Sequence, residues 1–99
     1  MLTINKKVED GVVNVGLEGR LDTVTSLELE TALADDMPTA KEVIMDLEKL
    51  EYISSAGLRV LLATQKVMAK QGSMKVINVN DAVMEIFEVT GFSDILTIE

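Results

Sequence analysis

The stretch Tyr52-Ile53-Ser54-Ser55-Ala56-Gly57-Leu58-Arg59-Val60-Leu61-Leu62 decides the fold, because it holds the junction of a strand and a helix. Upstream of it, Glu42–Leu47 is a short apolar run bounded by charge, the pattern of a strand buried on both faces. Downstream, Leu58, Leu61, Leu62, Gln65, Met68 and Ala69 fall on one helical face. That spacing predicts a helix over Ser55–Gln71, with Gly72 as its C-terminal stop. The two adjacent serines sit where the helix begins. A hydroxyl there caps a helix by accepting a free backbone N–H, typically ~1 kcal/mol. The same helix start carries unpaired N–H donors and partial positive charge, which suit an anion. A phosphate on Ser55 adds about −1.5 to −2 charge units without breaking the helix. A capping role and a switching role are both open to these serines.

Outward from this junction, the chain alternates strands and helices. Thr3–Glu9 reads as an edge strand and Asp10-Gly11 as a hairpin turn. Val13, Val15 and Leu17 then alternate as in a strand that ends at Gly19. A first helix is predicted from Thr25, where Thr25 and Glu28 stand at capping-box spacing. Its apolar stripe is Leu29, Ala32 and Leu33, and Asp35, Asp36 and Pro38 end it. Lys75–Val79 reads as another strand. A third helix from Ala82, capped by Asn80 or Asp81, carries Val83, Ile86, Phe87 and Thr90 and stops at Gly91. Ile95–Ile98 is a final short strand or a tail. The order β-β-α-β-α-β-α-(β) predicts a single α/β domain over residues 1–99. Its mixed sheet of four or five strands has an antiparallel edge hairpin and parallel pairs, with helices mainly on one face.

Composition narrows the function. The chain is 47% hydrophobic and 26% charged, a folded profile, and its net charge of −8 argues against nucleic acid and anionic membranes. It contains neither Cys nor His, so nucleophile–imidazole catalysis and the usual zinc sites are excluded. No cofactor is expected. Ile53 stands where a nucleophile elbow needs glycine, which disfavours a serine hydrolase. No apolar run has signal-peptide or membrane-spanning length, and a cytoplasmic, non-enzymatic protein is expected.

Three stretches together resemble the STAS domain of the anti-sigma factor antagonists. Tyr52, Ile53, Ser55, Ala56, Gly57 and Leu58 match the family's aromatic–aliphatic–Asp–Ser–(Ser/Thr/Ala)–Gly–Leu signature. Gly19-Arg20-Leu21-Asp22, followed by Thr23 and Thr25, resembles the loop before the family's first helix. Phe87-Glu88-Val89-Thr90-Gly91-Phe92 is similar to the end of its third helix. The chain departs from the pattern at Ser54, where the family has Asp. The resemblance implies a STAS fold and a binding module switched by phosphorylation at Ser55, with Ser54 as runner-up. Its partner would be an anti-sigma factor with GHKL-type serine kinase activity, and a PP2C-type phosphatase would reverse the modification. The implied partner surface is Asp22, Thr23, Ser54, Ser55, Ala56, Gly57, Leu58 and Arg59. Some STAS domains are instead non-switching accessory subunits of ABC-type lipid transport systems, and this is the alternative reading.

Overall fold

A computed structural model describes residues 1–99. Strands β1 (Leu2–Glu9) and β2 (Val12–Leu21) form the expected antiparallel hairpin. The turn between them has Asp10 at φ 52 and Gly11 at φ 82, the left-handed pair that a tight two-residue hairpin requires. Helix α1 (Thr25–Ala34) and a short 3₁₀ turn (Met37–Thr39) lead into β3 (Glu42–Ile53). Then come α2 (Ser55–Gln71), β4 (Ser73–Ile77), α3 (Asp81–Thr90) and a second 3₁₀ turn, Phe92–Asp94. The sheet order is β1-β2-β3-β4, with β2, β3 and β4 mutually parallel. The tail adds one parallel bridge, Val76 to Ile98, in place of a full fifth strand.

Period-two alternation places Val13, Val15 and Leu17 of β2, Val43 and Met45 of β3, and Met74 and Val76 of β4 on one buried face. The helices close this face through Leu29 and Leu33 of α1, Leu58, Leu61 and Met68 of α2, and Val83 and Phe87 of α3. The opposite face stays open around Asn5, Gly16 and Asp46. Lys6 points to the helical side, where its ammonium donates to the Ala32 carbonyl (2.8 Å) and pairs with Asp36 at the end of α1. A cation there complements the carbonyl end of the helix.

Five local expectations are corrected. Strand β2 continues through Gly19 to Leu21, and β3 continues six residues past Leu47. The extension carries two bulges. Gly16–Glu18 of β2 faces Asp46–Lys49 of β3, and Gly19–Arg20 faces Leu50–Tyr52, so β3 holds an extra residue each time. Burial then falls on Leu47, Leu50 and Ile53, a spacing of three that hides the strand from an alternation test. The last full strand is Ser73–Ile77 rather than Lys75–Val79. Thr25 and Glu28 form no capping box, because the N-cap position is Val24 and the Thr25 hydroxyl is used by the preceding loop. In α2 the buried set is Gly57, Leu58, Val60, Leu61, Thr64 and Met68, while Ala69 is exposed. The expected stripe is therefore rotated toward Val60 and Thr64. Thr64 can enter this face because its hydroxyl donates to the Val60 carbonyl (2.8 Å).

Candidate functional site

The C-terminal ends of β2 and β3 stop side by side, and Leu21 pairs with Ile53. The next contact closes the site: the Ser54 N–H donates to the Leu21 carbonyl at 2.8 Å. Ser54 has extended backbone, and its hydroxyl oxygen accepts the Gly57 N–H at 3.3 Å. Its carbonyl accepts the Leu58 N–H at 2.9 Å, the first bond of α2. Ser54 is thus the N-cap, a position that Ser and Asp both fill well.

Ser55 is the first residue of α2, with its side chain exposed and in no hydrogen bond. The next three residues rise from this turn in order: Ala56 half-buried, Gly57 buried, Leu58 6% exposed in the core. Arg59, one turn beyond Ser55, is exposed. Gly57 and Leu58 therefore lie beneath the surface formed by Ser55, Ala56 and Arg59.

Asp22 is the loop's own fastener. Its carboxylate accepts N–H groups from Val24 (3.1 Å) and Thr25 (3.0 Å), and the Thr25 hydroxyl stands 3.1 Å from the same oxygen. In return the Asp22 N–H donates to the Thr25 hydroxyl (2.8 Å), which donates to the Arg20 carbonyl (2.7 Å). The Thr25 N–H above all, joined by the Val24 N–H, holds the Asp22 carboxyl below the ordinary carboxylate range against an opposing desolvation. This loop presents Thr23 and Val24 to solvent, Val24 at 72% exposure. On the neighbouring strand end, the Arg20 guanidinium carbon stands 4.4 Å from the centre of the Tyr52 ring. A cation over an aromatic face is worth roughly 0.5–1 kcal/mol when exposed.

A groove of about 580 Å³ opens beside Ser55 between α1 and α2. Thr23, Ser26 and Leu27 line one wall, and Ala56, Arg59 and Leu62 line the other. Leu27, at 65% exposure, is an apolar residue with no core to enter. It escaped the sequence reading, although it sits off the α1 stripe of Leu29, Ala32 and Leu33, and an apolar residue outside the core stripe is the available signal. The arrangement contains no grouping of three acidic, Cys or His side chains that would hold a metal. It offers two uncommitted hydroxyls, on Ser55 and the exposed Thr23, with one free guanidinium and an apolar groove, which suit recognition of a protein surface. No helix is long and apolar enough to cross a membrane.

The model of the STAS domain family matches residues 3–99. The protein BtrV of Bordetella bronchiseptica is 35% identical over 91 residues, covering 90% of this chain and 78% of BtrV. The anti-sigma-B factor antagonist of Bacillus subtilis is 26% identical over 98 residues, covering 98% of this chain and 90% of that protein. Among solved structures, an anti-sigma factor antagonist from Mycobacterium paratuberculosis superposes with a TM-score of 0.88 at 26% identity, covering 99% of this chain and 85% of that one.

Proposed function

The chain belongs to the STAS domain family, and from that premise we propose that it is an anti-sigma factor antagonist switched at Ser55. It is a binding module rather than an enzyme, and it acts in the cytoplasm on transcription. Unmodified, it holds an anti-sigma factor that is also a GHKL-type serine kinase. That kinase phosphorylates Ser55 and is released, and a PP2C-type phosphatase restores the binding form. Asp22, Thr23, Ser54, Ala56 and Arg59 border the contact, with Gly57 and Leu58 supporting it from below.

One observation carries this reading: the Ser55 hydroxyl is exposed and uncommitted at the first turn of α2, beside an apolar groove. Ser54 is the weaker acceptor because its oxygen already holds the Gly57 N–H. Its presence where the family has Asp leaves the cap intact, since both residue types accept that bond. A phosphate at Ser55 meets the free N–H groups of the helix start, so the fold survives while the contact changes. A dianion set against a partly acidic partner face brings repulsion and desolvation. Each 1.4 kcal/mol of that cost is about tenfold in affinity.

The test is incubation with the GHKL-type kinase and ATP, followed by mass mapping. Phosphate is expected on Ser55. Ser55→Ala keeps binding and loses modification, and Ser55→Asp folds but binds weakly. Wild-type phosphorylation of Ser55→Ala would overturn the assignment. Recovery of an ABC ATPase in place of the kinase would overturn the partner.

A further inference from the structure

Arginine occurs twice in this acidic chain, at positions 20 and 59, and both stand at the Ser55 end of the molecule. Arg20 is stacked on Tyr52. Arg59 is exposed and takes part in none of the ion pairs, which join Lys6 to Asp36, Lys7 to Glu9 and Lys75 to Glu42. Arg59 follows Ser55 by four residues within α2. Residues four apart share a helix face, with Cβ atoms about 5–6 Å apart. Ser54 is five residues away, which turns it to a different side of the helix. The next cations along α2, Lys66 and Lys70, are 11 and 15 residues beyond Ser55, roughly 16 Å and 22 Å along the axis. Arg59 is thus the cation of α2 within helical reach of a group on Ser55, and it has no prior partner to give up.

We propose that Arg59 is the intramolecular counter-ion of a phosphate on Ser55. The planar guanidinium fork matches two phosphate oxygens, forming a paired contact along the first turn of α2. An acidic group N-terminal to a basic one at this spacing is the favourable order on a helix. The pair therefore stabilises the start of α2. It also withdraws Arg59 from the groove it lines with Thr23, Ala56 and Leu62. Phosphorylation then acts twice in one direction against an acidic partner: it adds negative charge and removes the positive charge nearest to it. This inference rests on Ser55 being the switch residue, and its test is kept separate from that reading.

Phosphoserine is installed at position 55 by an expanded genetic code, so no kinase is needed. The chain has two arginines, so its NMR spectrum holds two Nε–H signals, which Arg59→Gln assigns. The exposed, unpaired Arg59 makes that variant a folded control. Phosphoserine 55 is expected to move the Arg59 signal and leave Arg20 in place. It is also expected to raise the thermal midpoint, a gain lost in Arg59→Gln. Phosphoserine installed at 54 leaves the Arg59 signal unmoved. An unmoved Arg59 signal with phosphoserine 55, a shift at Arg20 in its place, or an equal shift from position 54 would each overturn the pairing. Failure of the kinase to modify Ser55 would overturn the proposed switch and leave this result standing.

Discussion

Gly57 approaches Leu21 so closely that a β-carbon at position 57 would stand 2.8 Å from the Leu21 Cγ, and equally close to Ile53 Cγ1. The first turn of α2 therefore rests directly on the last residues of β2 and β3. Leu21 immediately precedes Asp22 and Ile53 precedes the two serines, so this contact connects core packing to the candidate site.

Gly57→Ala is expected to destabilise the protein. Overpacking of this kind costs about 1–3 kcal/mol, partly offset by the ~1 kcal/mol by which Ala is the better helix former. Urea denaturation reads the difference as a lower midpoint at unchanged slope. An unchanged or higher midpoint would mean that α2 can lift without cost.

Ser54→Ala removes the oxygen that holds the Gly57 N–H and is expected to cost ~1 kcal/mol. Ser54→Asp keeps an acceptor there and restores stability. If Ser54 serves only as a cap, both variants remain substrates for phosphorylation at Ser55. Loss of modification in Ser54→Ala, with Ser55 intact, would move the phosphoacceptor to Ser54.

Asn80 ties α3 to the first bulge of β3. Its carbonyl oxygen caps α3 by accepting the Val83 N–H (3.0 Å), and its amide donates to the Leu50 carbonyl (2.7 Å) and faces those of Leu47 (3.3 Å) and Glu48 (3.4 Å). Asn80→Asp keeps the cap but sets a carboxylate against three carbonyls. A loss of roughly 1–3 kcal/mol is expected from the broken bonds and unmatched groups. Thermal unfolding separates the two roles, since a cap alone would make Asn80→Asp neutral or stabilising.

Asp22 gives the protein an acid-side dependence of known sign. Its carboxyl is held below the ordinary carboxylate range in the folded state. Its contribution is therefore complete above that range and is lost as pH falls through the lowered folded value. Asp22→Asn should be less stable at neutral pH and show a shallower decline on acidification. Denaturation midpoints followed from pH 7 into acid test this, and parallel curves for the two proteins would contradict it.

What was legible in the sequence follows from which rules act locally. The Asp10-Gly11 turn, the bounds of α2 and the order of strands and helices come from spacing and punctuation within a few residues. The end of β3 does not, because its bulges are set by pairing with β2 and change the burial spacing from two to three. Thr25 looked like a cap because its spacing to Glu28 is right. Its hydroxyl is instead claimed by Asp22 and Arg20, residues that β2 delivers to the same loop. Ser55 was legible as a free hydroxyl at a helix start. The groove beside it was not, since its walls come from two helices whose relative placement no local pattern encodes.

That groove gives the sharpest separation of binding from folding. Leu27 is 65% exposed on its α1 wall, so Leu27→Glu removes no core contact and should change stability by no more than about 0.5 kcal/mol. If an anti-sigma factor closes over the groove, it buries the exposed part of this side chain, a gain of about 1–2 kcal/mol that the substitution forfeits. At ~1.4 kcal/mol per tenfold, the dissociation constant for the unmodified protein should rise at least about fivefold by titration calorimetry. Ser55→Asp and Leu27→Glu act on adjoining parts of one surface, so their effects should fall short of adding. An unchanged affinity for Leu27→Glu would confine the contact to the Ser55 turn and take the groove out of it.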